Sequence, residues 1–154
     1  MNRPKAKGTQ AETACVKYLR LHGFGNADRQ PLRGNRDAGD ILLCPGIVIE
    51  VKAHKTAGTG QPGYTQLASW MGQTAAEQYN AGALMCPLIV KRTGTTDVGS
   101  WFAYLSLGKL FLLMGGTLEL DNAPRTAPVC MTVGALVALL RSAGYGDVPE
   151  QAAS

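Results

Sequence analysis

Three stretches of the chain carry apolar residues at the spacing of an amphipathic helix. From Gly8 to Gly23 they recur near the helical period, and Thr9 followed three residues later by Glu12 is typical of a capping box. The range from Tyr64 to Asn80 repeats the pattern along one stripe. The range from Val133 to Ala143 shows it again near the carboxyl end. The sequence therefore predicts a helix over each of these ranges.

Short apolar runs elsewhere in the chain predict β-strands. The run from Ile47 to Ala53 (IVIEVKA) is rich in β-branched residues and is typical of a central strand. Pro87 interrupts another run and indicates an edge position or a bulge, whereas Leu110 to Met114 fits either a short helix or a strand. Further strands are predicted at Ala27–Leu32, Asp40–Cys44, Ala83–Val90 and Trp101–Leu107. This order predicts an α/β fold, a sheet flanked by helices.

Length and composition predict one soluble domain. The chain has 154 residues, of which 45% are hydrophobic and 17% charged, which suits a single core over residues 1–154. The longest uncharged apolar segment runs from Thr126 to Leu140 and is too short to span a bilayer. The sequence therefore excludes a helical membrane span. The amino terminus is polar and has no apolar signal region. We expect a cytoplasmic protein.

Positive charge is concentrated in the first third of the chain. Residues 1–55 carry ten basic and five acidic side chains, whereas the whole chain has a net charge of +4. Such a one-sided field attracts polyanions, nucleic acid first, although a charge-rich amino-terminal third is more often a solvated surface. The four cysteines form no CxxC pair, and the sequence has only two histidines. Buried thiols are therefore expected rather than a zinc site or a disulfide framework.

The chemistry of the chain is concentrated in one predicted hairpin. Asp40 is followed after nine residues by Glu50, Val51 and Lys52. Side chains alternate faces along a strand, so Glu50 and Lys52 share one face. A turn with an odd number of residues pairs Cys44 with Val48 and places Asp40 opposite Lys52, on that same face. A turn with an even number places Asp40 on the other face unless a bulge intervenes.

Two carboxylates that converge in a hairpin form the oxygen-rich type of site that Mg²⁺ takes. An adjacent lysine orients or polarises the attacking water and stabilises charge on phosphorus, as metal-assisted phosphodiester hydrolysis requires. The pattern therefore indicates a metal-dependent nuclease. The alternative is an internal ion pair in a buried strand, which usually costs stability relative to apolar packing.

The chain resembles a known family, the PD-(D/E)XK nucleases, and in particular the archaeal-type Holliday junction resolvases and their phage relatives. The stretches KGTQAETACVKYLRLHGF, ADRQPLRGNRDAGDI and IVIEVKAHK carry the resemblance in order. It covers about residues 7–92 and leaves an extension over 93–146 and a tail over 147–154, which is expected to be frayed after Gly146. It implies a restriction-endonuclease-like mixed sheet with flanking helices, an αβββαβ core plus a carboxy-terminal helix.

The resemblance also implies roles for single residues. It places Mg²⁺, with Mn²⁺ as a substitute, on the Asp40 and Glu50 carboxylates and the Val51 carbonyl, and it makes Lys52 the catalytic lysine. Glu12 approaches the metal or its waters from the first helix; the capping box explains this glutamate as well. The proline that the family carries before the aspartate is replaced by Gly39.

Several residues are candidates for contacts with DNA. Relatives carry a glutamine at the start of the helix after the lysine strand, a place that Gln66 fits; it is equally an exposed helix residue. Basic residues around the hairpin are candidate phosphate contacts. They are Lys5, Lys7, Arg29, Arg33, Arg36 and Lys55.

These expectations combine into one function with open alternatives. The first is a Mg²⁺-dependent, structure-selective DNA endonuclease, a Holliday junction resolvase that acts as a homodimer because two incisions need two sites. The second is a nuclease of the same class with a restriction-like, flap or single-strand target. The third is a non-catalytic DNA-binding protein. The GxGxxG match from Gly58 to Gly63 follows its strand too distantly for a dinucleotide site.

Overall fold

The protein is described here by a computed structural model that covers residues 3–31, 36–54, 58–116 and 124–149, with the backbone alone for residues 3–7. Within these ranges the chain forms four α-helices and six strands. In order they are α1 (Arg3–Leu21), β1 (Asp28–Arg29), β2 (Ile41–Cys44), β3 (Ile47–Lys52), α2 (Tyr64–Ala81), β4 (Leu88–Val90), β5 (Phe102–Ser106), α3 (Leu107–Leu113), β6 (Pro128–Thr132) and α4 (Val133–Ser142), with a short 3₁₀ helix at Val98–Ser100.

The six strands form one mixed sheet in the order of the sequence. Neighbouring strands are antiparallel except for β3 and β4, which are parallel because α2 crosses over between them. This confirms the α/β class and the sheet flanked by helices. The predicted edge position at Pro87 is wrong, because β4 lies between β3 and β5. Pro87 precedes β4, and its carbonyl accepts a hydrogen bond from the Glu50 N–H at 3.1 Å.

Two apolar cores lie on the two faces of the sheet. The larger core joins α1 and α4 to the sheet and includes the fully buried Leu19, Ile49 and Leu136. On the other face, Trp70 of α2 packs against a smaller cluster formed by Leu88, Val90, Phe102 and Tyr104. Burial of this apolar surface is the main favourable contribution to folding, about 25 cal/mol per Å². Glu50 and Lys52 lie on the face that α2 covers.

The amino-terminal helix is longer than its apolar pattern predicts. Because α1 begins at Arg3, Thr9 lies inside the helix, and its carbonyl accepts a hydrogen bond from the Thr13 hydroxyl at 2.9 Å. The predicted capping box at Thr9 and Glu12 is therefore wrong, which removes the capping explanation for Glu12. The start of α4 is as predicted, since the Thr132 hydroxyl caps it by accepting from the Ala135 N–H.

The carboxy-terminal third contains elements that the sequence pattern did not resolve. The ambiguous segment belongs to helix α3, and strand β6 lies where no strand was predicted. The tail is also more ordered than expected. Asp147 accepts a hydrogen bond from the Gly25 N–H at 2.8 Å and donates its own N–H to the Gly23 carbonyl at 2.7 Å. The expectation that the tail is frayed after Gly146 is therefore wrong for Asp147.

Across the described parts of the chain, no helix is both long enough and apolar enough to cross a membrane.

Candidate active site

The hairpin of β2 and β3 has an even turn and a bulge. Ile41 pairs with Ile49, and Cys44 pairs with Ile47 across the two-residue turn Pro45–Gly46. The alternative of an odd turn, with Asp40 opposite Lys52, is therefore excluded, and the other alternative, an even turn with a bulge, is the one that the structure has. The register shifts between Leu42 and Cys44, so one extra residue in β2 brings Asp40 to the required face. Continuing the pairing from Ile41 and Ile49 places Asp40 beside Glu50.

Backbone hydrogen bonds fix Asp40 against β3. Its N–H donates to the Ile49 carbonyl at 2.9 Å, and its Oδ2 accepts from the Val51 N–H at 2.8 Å. The carbonyls of alternate residues point to the same side of a strand. The Val51 carbonyl therefore lies on the same side of β3 as Asp40. The Asp40 carboxylate and the Val51 carbonyl thus lie on the same side of β3, and their joint role at a metal stays a prediction.

Glu50, Lys52 and Gln73 form a compact network under α2. The Lys52 Nζ lies 2.8 Å from the Glu50 Oε1 and donates to the Gln73 Oε1 at 2.9 Å. The Gln73 amide donates to the same Glu50 oxygen at 3.2 Å. The other oxygen, Glu50 Oε2, is buried and has no hydrogen-bond partner among the described residues. Glu50 Oε1 is therefore bound by two donors, whereas Oε2 needs a donor or a cation.

Two more carboxyl groups surround Glu50. Asp37, in the loop before β2, and Glu77, on α2, each place a carboxylate oxygen near Glu50, and the three ligand atoms lie within 4.8 Å of one another. Glu77 is 1% exposed and Glu50 is 4% exposed. Asp40 adds a fourth carboxyl group close to Glu50, since the charge of Glu50 raises the pKa of Asp40. The Lys52 ammonium contacts Glu50 at 2.8 Å, and this single positive charge does not compensate four ionised carboxylates.

This crowding raises the pKa values of the carboxyl groups. Burial, followed by the charge of Glu50, raises the pKa of Asp40 to about 7, although the bond from the Val51 N–H lowers it. Burial also raises the pKa of Glu50 to about 7, against the lowering effect of Lys52. Burial raises the pKa of Glu77 as well. The site thus takes up a positive charge, as protons or as a cation.

The metal-free protein is expected to lose stability as the pH rises. Asp40 and Glu50 have pKa values of about 7 in the folded state, against ordinary values of 3.8 and 4.5, so the folded chain binds more protons between these limits. The stabilisation is complete below the ordinary values and is lost as the pH rises through about 7. With EDTA present, the midpoint of urea unfolding should be lower at about pH 8 than at about pH 5.

The Glu50→Gln variant should show a flatter dependence, since an amide does not titrate. The exposed Asp28→Asn variant is the control and should keep the wild-type slope. Stability of the wild-type protein that rises over this interval would contradict the raised pKa values.

Gly39 sets the position of Asp40. Its φ is +91°, and a Cβ there would lie 3.3 Å from the Ile49 carbonyl oxygen. Gly39→Ala is therefore expected to reduce the free energy of unfolding by about 1–2 kcal/mol, through backbone strain and a close contact with β3. Urea unfolding measures the change. Gly72→Ala, inside α2 with nothing within 4 Å, is the control and should be neutral or stabilising. Equal stability of Gly39→Ala and the wild type would contradict this account.

Glu12 lies close enough to Asp40 to raise the pKa of its carboxyl group. Its carboxylate is bound by Arg29, with the Arg29 Nη2 at 2.8 Å and the Nε at 2.9 Å from the Glu12 Oε2. Among the described residues, the compact group of three carboxylates contains Asp37 and Glu77 with Glu50, and neither Glu12 nor Asp40. Glu12 is therefore a neighbour of the site held by an arginine, and its role at a metal stays a prediction.

The residues predicted to contact DNA differ in their position relative to the hairpin and in whether other residues bind them. Lys5 and Lys7 lie in the first turns of α1, and Arg36 is exposed next to Asp37. Arg29 is occupied by Glu12, whereas Arg33 and Lys55 lie outside the described residues. Gln66 is exposed on α2, and the glutamine that reaches the site is Gln73, two turns further along the helix. The structure thus does not bring Gln66 to the β2–β3 hairpin.

The sequence interpretation missed Asp37, Gln73 and Glu77. A signal for the last two was present, because positions 70, 73, 74 and 77 follow the helical spacing from Trp70. A glutamate on the stripe of a buried tryptophan is unusual in an ordinary core. Asp37 had no such signal, since it lies in a loop.

Comparisons with protein-family models, with curated proteins and with solved structures give no match for this chain. Its fold class and the geometry of its carboxylate cluster are therefore the basis for a functional proposal.

Proposed function

We propose that the protein is a Mg²⁺-dependent endodeoxyribonuclease of the PD-(D/E)XK class. The observation that carries the proposal is the environment of Glu50. One oxygen contacts Lys52 at 2.8 Å, and the other is buried without a partner among the described residues. The Asp40 carboxyl group is close to that of Glu50, whose charge raises the pKa of Asp40. A carboxylate pair with a lysine on one side and an unpaired oxygen on the other suits a nuclease site.

The residues fit a hard divalent cation. Asp40, Glu50 and the Val51 carbonyl would hold Mg²⁺ through oxygen atoms, which Mg²⁺ prefers, and Mn²⁺ would substitute. A bound cation also compensates the negative charge that otherwise raises the carboxyl pKa values. Mg²⁺ supplies Lewis-acid stabilisation of charge on the scissile phosphate and lowers the pKa of a bound water.

Lys52 has a defined task in this proposal. Its ammonium is held by Glu50 and Gln73 and is partly exposed, with 22% of the side chain accessible. From there it orients the attacking water and stabilises negative charge that develops on the phosphate. Gln73 keeps the lysine and the glutamate in fixed positions by bonding to both. A structural ion pair alone does not explain why Glu50 Oε2 has no hydrogen-bond partner among the described residues.

The fold supports the same class. The elements α1, β1, β2, β3, α2 and β4 follow the αβββαβ order of a restriction-endonuclease-like core, and they form part of a mixed sheet. The carboxylates lie on the β2–β3 hairpin and the glutamine on α2. Fold alone does not determine function, so this agreement is secondary to the geometry of the site.

We further propose a four-way DNA junction as the substrate and a homodimer as the active form. The basic excess of residues 1–55 surrounds the hairpin in sequence and favours a branched polyanion. Each chain supplies one proposed site, and symmetric cleavage of two strands needs two sites.

A panel of four labelled DNA substrates tests the proposal. With Mg²⁺ present, the protein should cleave a four-way junction faster than a flap, a linear duplex or a single strand of matched sequence. Faster cleavage of one of the other three substrates would retain the nuclease and overturn the junction preference. Binding of DNA without any cleavage in Mg²⁺ or Mn²⁺ would instead favour a non-catalytic DNA-binding protein.

A further inference from the structure

A second group of carboxylates shares Glu50 with the proposed catalytic pair. Asp37, Glu50 and Glu77 bring one oxygen each within 4.8 Å of the others. Three elements supply them: the loop before β2, strand β3 and helix α2. Groups from three separate elements meet at this point, and neither Asp37 nor Glu77 has a role in the nuclease site described above.

The two buried carboxyl groups of this cluster, Glu50 and Glu77, need protons or a positive charge nearby. Glu77 is 1% exposed and its Oε1 has no partner among the described residues, and the same holds for Oε2 of Glu50, which is 4% exposed. An ionised carboxylate without a partner in such surroundings is strongly unfavourable. Glu50 and Glu77 are both more than nine-tenths buried, and each has one oxygen without a partner among the described residues. Protons or a cation must therefore compensate their negative charge.

The groups around Glu77 do not supply that charge. The Cys86 thiol lies 3.7 Å from the Glu77 Oε2, and the side chains of Glu50 and Gln73 also reach Glu77. The thiol and the amide are neutral, a thiol is a weak donor, and the Glu50 carboxyl group bonds to Glu77 only when one of the two carries a proton. The nearby Lys52 is bonded to Glu50 Oε1 and to Gln73.

We propose that Asp37, Glu50 and Glu77 hold a divalent cation of their own, in addition to the cation proposed for Asp40, Glu50 and Val51. The ligands are carboxylate oxygens, which suit Mg²⁺, Mn²⁺ or Ca²⁺. The inference depends on the proposed function only through the shared Glu50.

The location of Asp37 gives this cation a positioning role. The Asp37 carbonyl accepts a hydrogen bond from the Asn80 amide of α2 at 2.9 Å, and its Oδ1 accepts from the Gly39 N–H at 3.1 Å. Asp40 follows three residues later. A cation between Asp37 and Glu77 therefore ties the loop to α2 and holds Asp40 in place, while the unbound carboxylates repel one another.

Mn²⁺ binding to the purified full chain, followed by electron paramagnetic resonance without DNA, tests the proposal. The wild type should bind two ions per chain. Glu77→Gln and Asp37→Asn should each bind one ion fewer, and so should Asp40→Asn, through loss of the other cation. The exposed Asp28→Asn variant is the matched control and should bind as many as the wild type. Asp37 is exposed, so its variant remains informative if Glu77→Gln does not fold.

The outcomes separate this inference from the proposed function. A wild-type chain whose Mn²⁺ binding is unchanged in Asp37→Asn and in a folded Glu77→Gln overturns the inference and indicates a protonated Glu77 bonded to Glu50. An ion that is lost in Asp37→Asn and kept in Asp40→Asn supports the inference while contradicting the catalytic cation. The nuclease proposal fails in a different measurement, the cleavage assay, if a protein that binds both ions does not cleave DNA.

Discussion

Glu50→Gln is expected to reduce Mg²⁺-dependent cleavage of DNA by about a thousandfold or more, which corresponds to about 4 kcal/mol of transition-state stabilisation. The amide has the same shape, so the packing under α2 is retained. It removes the charge that binds Lys52 and the oxygen available to a cation. Single-turnover cleavage of a labelled junction measures the loss.

The fold of this variant is checked independently of its activity. Its urea-unfolding midpoint with EDTA should equal or exceed that of the wild type above about pH 7, because the substitution removes an unfavourable buried charge. Asp28→Asn, on an exposed side chain of β1, should cleave as the wild type does. A folded Glu50→Gln protein that cleaves at the wild-type rate would show that Glu50 has no part in the reaction.

Lys52→Met is the second variant with a large expected effect. Methionine keeps an unbranched apolar side chain beside α2 but removes the ammonium that lies 2.8 Å from Glu50. We expect cleavage to fall by about a hundredfold to ten-thousandfold, since the variant cannot orient water or stabilise charge on the phosphate. Cleavage and Mn²⁺ binding, measured on the same preparation, check this expectation.

The two measurements on Lys52→Met should change in opposite ways. Cleavage is lost, whereas Mn²⁺ binding is retained or becomes tighter, because an ammonium that competes for Glu50 has been removed. Lys17→Met, at an exposed position of α1, is the matched control and should leave both unchanged. Loss of Mn²⁺ binding together with cleavage would mean that Lys52 supports the structure of the site instead of the reaction.

The hairpin could be predicted from the sequence because its signals are local. Alternation along IVIEVKA places Glu50 and Lys52 on one face whatever the tertiary structure. The position of Asp40 depended on the turn and could not be settled. A bulge next to Leu43 changes the register by one residue, and no residue type there signals it. The pattern therefore predicts either an odd turn or an even turn with a bulge, and it does not select between them.

The contribution of α2 depended on packing that the sequence does not specify. Its bounds follow from helical periodicity and from Gly82, which ends the helix with a φ of +61°. Which glutamine meets Lys52 depends on how the helix is rotated over the sheet, and Trp70 fixes that rotation by entering the smaller core. Gln66 then points to solvent, while Gln73 and Glu77 lie over Glu50.

The carboxy-terminal strand was the least predictable element. Strand β6 alternates between exposed and half-buried residues, and its short sequence PVCMT begins with proline. Its pairing with β5 runs over five residues and joins positions that are far apart in the chain. A strand whose partner supplies most of its stabilisation has a weak local signal.

The most direct test of the central claim is the cleavage of an end-labelled four-way junction by the wild-type protein, in Mg²⁺ and in EDTA. We predict incision in Mg²⁺, none in EDTA, and recovery when Mg²⁺ is restored in excess over the chelator. Equal incision in EDTA would contradict a metal-dependent site at Asp40 and Glu50, and no incision under any of these conditions would contradict the assignment of a junction nuclease.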